Sequence, residues 1–183
     1  MGVRKVIRMG HPTLRKRADD YPAEMIGGED FLTLIEDMRE TLHAYGGIGL
    51  AAPQIDVPYK IAVIEIETTD TRYGEVDQIP FSVYINPVIS VINSETAGFW
   101  EGCLSVPGLR GYVERPQHIR IDYLDEKGAP GSVELKGFLA TVFQHEFDHL
   151  DGRLYVDLLT DSRRLSYEEE YLRYLEPQQS VEE

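Results

Sequence analysis

The chain has 183 residues, enough for one domain with a substantial core, and its formal net charge of −14 sets up a field that repels phosphate backbones. Direct nucleic-acid binding is therefore not expected. Its single cysteine, Cys103, excludes an internal disulfide framework, and no apolar run approaches the roughly 20 residues of a membrane span.

The start, MGVRKVIRMG, is basic but lacks the apolar core and cleavage site of a signal peptide. Val6 and Ile7 stand where an N-myristoylation motif wants Ser or Thr. A cytoplasmic protein is expected. Along the chain, Phe31, Leu34, Ile35, Met38, Leu42 and Tyr45 recur at helical spacing and predict a helix over 29–45, stopped by Gly46 and Gly47. GIGLAAPQ, residues 47–54, reads as an apolar loop. YKIAVIEIE, residues 59–67, reads as a strand. FSVYINPVISVI, residues 81–92, predicts two short strands broken at Pro87. HIRIDYLDEKG, residues 118–128, predicts a strand entering a turn, with GSVELKG, residues 131–137, as its hairpin partner. A helix follows over 138–150, between Gly137 and Gly152, and a last one over roughly 163–175 with Leu165, Leu172 and Leu175 inward. The tail EPQQSVEE is expected to fray. A block of strands between helices predicts an α+β fold with an antiparallel sheet, and a single domain over 1–183 with its core at about 5–160.

Chemistry concentrates in QHEFDHLDG, residues 144–152. Positions i and i+4 share a helix face, so His145 and His149 can point at one ion, with Glu146 beside it. On a wheel, Thr141, Gln144 and Asp148 form a polar arc, apolar residues cover most of the rest, and the histidines lie at the boundary. Two hydrogen-bonded histidines at a core edge would give the same pattern. A metallopeptidase needs a third ligand. In the HExxHxxGxxH pattern Gly152 fits, but Tyr155 stands at the last position. Glu168, Glu169 and Glu170 lie at a usable distance, although a solvated charged face explains them more simply. Cys103, in EGCLSVPG, is a metal-ligand candidate or a small buried hydrophobe.

Three motifs in this order, GIGLAAPQ, EGCLSVP and QHEFDHLDG, resemble those of the peptide deformylase family. VIRMGHPTLRKRA, INP at 85–87 and YVERP at 112–116 extend the resemblance over roughly 5–160. The segment VPGLRGYVERP is similar to the branch found in some bacteria and in organelles. The resemblance implies antiparallel sheets packed around a central HExxH helix, with an N-terminal and a C-terminal helix. It implies one divalent metal ion per chain on Cys103, His145 and His149, natively iron(II), with nickel, cobalt or zinc able to substitute. It implies removal of the formyl group from N-formylmethionine on nascent peptides. Water held by the metal would attack, with Glu146 as general base and Gln54 and the Leu104 N–H as oxyanion donors. Gly47, Ile48, Gly49, Arg110, Val142 and Phe138 would bind substrate. Glu101 and Arg115 would form an ion pair propping the cysteine loop. The final region departs most from the family. Its glutamates predict weak or differently placed ribosome contact. A metallopeptidase, a non-catalytic formyl-peptide-binding paralogue and a metal-sensing module remain alternatives.

Overall fold

The structure, a computed structural model, describes residues 2–67, 70–71, 74–75 and 77–176. The tail expected to fray lies outside them from 177 on. The first helix, α1 (Glu29–Tyr45), has the bounds its periodicity predicts, with Phe31, Ile35, Met38 and Leu42 buried. Gly46 ends it in the left-handed conformation at φ 65°, where its N–H reaches the carbonyls of Leu42 and His43.

The GIGLAAPQ stretch is more ordered than the expected loop. Gly49–Ala51 is a short strand, β1, followed by a 3-10 turn over Ala52–Ile55. It pairs antiparallel with β2 (Ile61–Ile66). Along β2 the side chains alternate between two helices. Ile61 and Val63 join the α1 cluster, while Ala62, Ile64 and Ile66 join the cluster around Phe143 and Phe147. Both faces are covered, which explains why the strand reads as an almost unbroken apolar run. A two-residue ladder, β3 (Asp70–Thr71) with β4 (Gly74–Glu75), precedes the long strands.

Residues 81–92 are not two strands. They belong to one strand, β5 (Ile79–Cys103), which turns back into β6 (Val106–Leu124). Ile79–Ile85 pairs with β2, the strand pairs with β6 from Val88 on, and Ile85 is paired on both sides. Pro87 sits at this change of partner, where a missing N–H costs no ladder bond. Asn86 secures the bend: its amide exchanges hydrogen bonds of 2.7 and 2.9 Å with the backbone of Tyr21. The predicted hairpin follows as β7 (Pro130–Lys136), then α2 (Gly137–Leu150). Among the described residues the principal sheet has six strands in the order β1-β2-β5-β6-β7, with β8 (Leu165–Tyr167) also on β6.

The α2 helix touches β1, β2, β5, β6 and β7 and is buried from Ala140 to Leu150. Its polar arc is buried too. Gln144 Nε2 donates to the Pro116 carbonyl at 2.8 Å, Thr141 accepts from Gln117 at 3.3 Å, and Asp148 accepts from Arg115 at 2.7 Å. On its apolar side Val142, Phe143, Phe147 and Leu150 are buried, each contributing on the order of 1.5–3 kcal/mol. At its end Gly152 has φ 73°, and a Cβ there would come within 2.8 Å of the Arg15 backbone. Only glycine satisfies both demands.

The expected last helix over 163–175 does not form as such. Ser162–Arg164 is a 3-10 turn, Leu165–Tyr167 is β8, and helical turns run from Glu168 to Leu175. The reason lies in β6. Strand β7 covers only His118–Leu124, which leaves the edge at Leu109–Gly111 open, and β8 fills it. Leu165, Leu172 and Leu175 are consequently exposed, and the buried anchor of this segment is Tyr171.

Candidate active site

His145 and His149 lie one turn apart on α2, buried, with ring centroids 5.2 Å apart. Cys103 reaches them from the sheet, at the end of β5 just before the chain turns at Leu104–Ser105. Its Sγ lies 3.3 Å from His149 Nε2. One donor atom from each of Cys103, His145 and His149 falls within 4.8 Å of the other two. Three protein donors that leave room for a further ligand form a catalytic rather than a closed structural metal set.

The surrounding charges suit a cation. Glu101 accepts from His145 Nδ1 at 2.7 Å, which leaves Nε2 as the nitrogen free to face a metal. Arg115 holds Glu101 through Nε at 2.6 Å and Nη2 at 3.0 Å, and reaches Asp148 through Nη1 at 2.7 Å. Asp148 also pairs with Arg153 at 2.7 Å. Burial pushes the Glu101 carboxyl up, but hydrogen bonds from His145 and Arg115 outweigh it and hold it below its ordinary range. Burial likewise disfavours a charged His145, yet Cys103 and Glu101 overcome it and raise its pKa well above the ordinary value. This corner of the site therefore favours positive charge, and a metal ion can take the place of the His145 proton. His149 is pushed well below the ordinary value by burial and then by the charges of His145 and Arg115, so it is a neutral donor. The residues present fit a divalent ion.

Glu146 is buried beside the histidines, and its Oε2 has no hydrogen-bond partner among the described residues. Burial raises its pKa to about 7, against the opposing pull of His145. Gly49 makes room for it, since a Cβ there would lie 2.5 Å from Glu146 Cδ and Oε1. Gly49→Ala is expected to push the carboxyl aside and lower kcat by about 10- to 100-fold. Retained metal and retained folding, measured on the same sample, would separate displacement of Glu146 from collapse of the site.

Gln54 closes the site from the 3-10 turn after β1. The Ala51 N–H donates to its Oε1 at 2.8 Å, and this fixes the orientation of the amide. Its Nε2 then faces Ser105 Oγ at 3.2 Å and Cys103 Sγ at 3.6 Å. The N-terminal arm straps both loops in place. The Ile7 N–H donates to the Gln54 carbonyl and the Met9 N–H to the Ser105 carbonyl, each at 2.8 Å.

These groups open into a groove of about 1320 Å³. Its lining includes the expected Gly47, Ile48, Gly49, Leu104, Arg110, Phe138 and Val142, together with Gln54, Cys103, His145 and Glu146. Arg115 and Glu101 form the expected ion pair, and the structure adds Asp148 to it. Of the three acidic residues weighed as a third ligand, Glu169 and Glu170 are exposed and Glu168 is paired with Arg110. None of them belongs to the donor group. Sequence reasoning missed three contributors. Trp100 and the arm residues Lys5–Arg8 line the groove. Tyr155, noted only as a missing histidine, stacks on His145 with centroids 6.0 Å apart and 22° between the rings. The signal for Tyr155 was its position in the HExxHxxGxxH spacing, where a third histidine ligand would stand.

Comparison with known proteins agrees with this geometry. The family model described as polypeptide deformylase matches residues 3–165. A peptide deformylase of Leptospira biflexa is 44% identical over 170 residues, covering 93% of this chain and 95% of the relative. Peptide deformylase 2 of Pseudomonas syringae pv. tomato is 42% identical over 165 residues, covering 90% and 92%. Among solved structures, the Met-Ala-Ser-bound class I type b peptide deformylase of Acinetobacter baumannii superposes with a TM-score of 0.81 at 32% identity, covering 86% of this chain and 98% of that one. The motifs, the antiparallel fold and these matches over most of the length converge: the chain belongs to the polypeptide deformylase family.

Proposed function

We propose that this chain is a metal-dependent hydrolase that removes the formyl group from N-formylmethionine of newly made polypeptides and releases formate. The observation that carries this reading is the Cys103–His145–His149 donor group, set in one groove with the Glu146 carboxyl and the Gln54 amide. Cys103, His145 and His149 would hold one divalent ion. Iron(II) is the proposed native metal, with nickel, cobalt or zinc as substitutes, since thiolate and imidazole suit several of these ions. When bound, such an ion supplies Lewis acidity toward the formyl oxygen and makes water a better nucleophile at neutral pH.

The protein's own residues do the rest. Glu146 takes a proton from the attacking water on its carboxylate and returns it to the leaving amine nitrogen. As the formyl carbon becomes tetrahedral, negative charge grows on its oxygen. Gln54 Nε2 and the Leu104 N–H are the proposed donors to that charge. The bond from the Ala51 N–H to Gln54 Oε1 keeps Nε2 aimed at the site without reorganisation during the reaction. Glu101 keeps the His145 ring in register, and Arg115 keeps Glu101 ionised. Ile48, Val142 and Phe138 are the proposed walls for the methionine side chain, and Gly47 and Ile48 offer main-chain groups to an extended peptide. Arg110, also in the groove lining, is the proposed contact for the downstream end of the substrate. The proposed compartment is the cytoplasm, where the single thiol stays reduced. Among the described residues no helix is long and apolar enough to cross a membrane. The acidic C-terminal segment argues for weak or differently placed ribosome contact.

Formate release from formyl-Met-Ala-Ser, run beside peptide-bond cleavage of unformylated Met-Ala-Ser, tests the reading. The expected result is stoichiometric formate with no cleavage of the unformylated peptide. Cleavage of the latter would replace the deformylase with a peptidase.

A further inference from the structure

The chemistry proposed for the groove gives the C-terminal segment no task, yet the fold builds that segment into the groove. Arg110 and Glu168 both line it, alongside Cys103 and Glu146. The Arg110 guanidinium packs over Gly102, the residue before Cys103, where a Cβ would overlap Nη1 and Cζ. Its Nε donates to Glu168 Oε1 at 3.0 Å, and its Nη2 donates to the same oxygen. Glu168 is delivered there by two anchors. Strand β8 pairs Leu165–Tyr167 with Leu109–Gly111, and Tyr171 is buried against Trp100 with ring centroids 5.2 Å apart.

The charge balance at the rim follows from this geometry. Arg110 spends Nε and Nη2 on Glu168, and its Nη1 lies against Gly102. The arginine is thus neutralised and has little left to offer an acidic group. Glu168 is the more open partner, with its side chain 38% exposed against 21% for Arg110. Both hydrogen bonds fall on Oε1, and Oε2 accepts none among the described residues. The pair as a whole carries no net charge, but Oε2 of this partly exposed carboxylate in the groove lining can still accept from a cationic donor.

We infer that Glu168 is a specificity-determining residue: it cancels Arg110 and offers Oε2 to a basic side chain downstream of the formylated methionine. Peptides carrying Lys or Arg there are preferred over peptides carrying Asp or Glu. The inference rests on the deformylase reading of the groove. The global charge of −14 also attracts cations, but loosely and over the whole surface. A local effect must therefore depend on Glu168 and not on an exposed acidic neighbour such as Glu169.

The test compares kcat/KM for formyl-Met-Lys-Ser, formyl-Met-Asp-Ser and formyl-Met-Ala-Ser, and for the same substitutions one residue further on, with metal-loaded protein. Wild type should favour Lys over Asp by about three- to fivefold at one of these positions, the scale of a half-exposed charge pair. Glu168→Gln should bring the ratio to about one or invert it, as Arg110 becomes available. Arg110→Gln should increase the ratio, and Glu169→Gln should leave it as in wild type. Binding of the products Met-Lys-Ser and Met-Asp-Ser, read by fluorescence of Trp100, the single tryptophan, should follow the same order. An unchanged ratio in a folded Glu168→Gln variant, or no charge preference in wild type, overturns the inference. Absence of formate from every peptide would instead overturn the deformylase reading. Product binding ordered by charge through Glu168 would in that case still support its role as a selector.

Discussion

Glu146→Gln is expected to lower kcat by about 10²–10⁴-fold, the range a positioned general base contributes. The carbonyl of the amide keeps the shape and part of the polarity of the carboxylate but accepts no proton. Glu146 is not one of the three donors, so metal content should remain at the wild-type level. KM should change little, because the residue acts on the proton and not on the peptide. A variant that keeps its metal and full activity would remove Glu146 from the mechanism. One that loses its metal would make Glu146 part of the ion's support. Stability should hold or rise slightly, since Oε2 is buried without a hydrogen-bond partner among the described residues and its charge is disfavoured there.

Arg115→Met has the largest effect expected on the fold. Arg115 is 4% exposed and lies between two buried carboxylates, Glu101 and Asp148. Removing it leaves Glu101 with His145 as its remaining partner, and Asp148 with Arg153 alone. Breaking a buried ion pair on one side costs about 3–5 kcal/mol. For a chain of this size that lowers the thermal midpoint by roughly 6–20 °C. The same change frees Glu101 from the orientation that holds His145, so metal affinity measured by chelator competition should fall with stability. The double variant Glu101→Gln/Arg115→Met should recover part of the stability, because the buried carboxylate that Arg115 no longer balances is gone from position 101, while metal affinity stays low. Equal loss in single and double variants would show that Arg115 acts by packing and not by charge.

How far the sequence could be read follows from which signals are local. The α1 helix was legible to its end residues because its period and its glycine stop are local. The α2 helix carried its metal chemistry in five consecutive letters, His145 to His149. The long β5–β6 hairpin was not legible. Pro87 reads as a break, and only the change of partner from β2 to β6 shows why the strand continues through it. The same holds at the C-terminal end. Three glutamates in a row and spaced leucines suggest a free amphipathic helix. The open edge of β6 is a property of the sheet, and it captures Leu165–Tyr167 as a strand.

The site divides in the same way. His145, His149 and Glu146 follow from helix geometry. No periodicity connects Cys103 or Gln54 to them, and these two came from the resemblance of their motifs to a family. Glu101 and Arg115 came with that resemblance as well. Asp148 was visible only as part of a polar arc, and nothing local said that the arc faces a buried arginine. Glu168 read as surface because its partner lies 58 residues away in the chain.

The most direct test of the central claim is formate release and metal content measured on one anaerobic preparation of wild type and Cys103→Ser. The metal site proposed here requires about one divalent ion per wild-type chain with formate release, and loss or marked weakening of both in Cys103→Ser. A Cys103→Ser protein that keeps its metal and its wild-type rate would show that the third donor lies elsewhere, and would contradict the site.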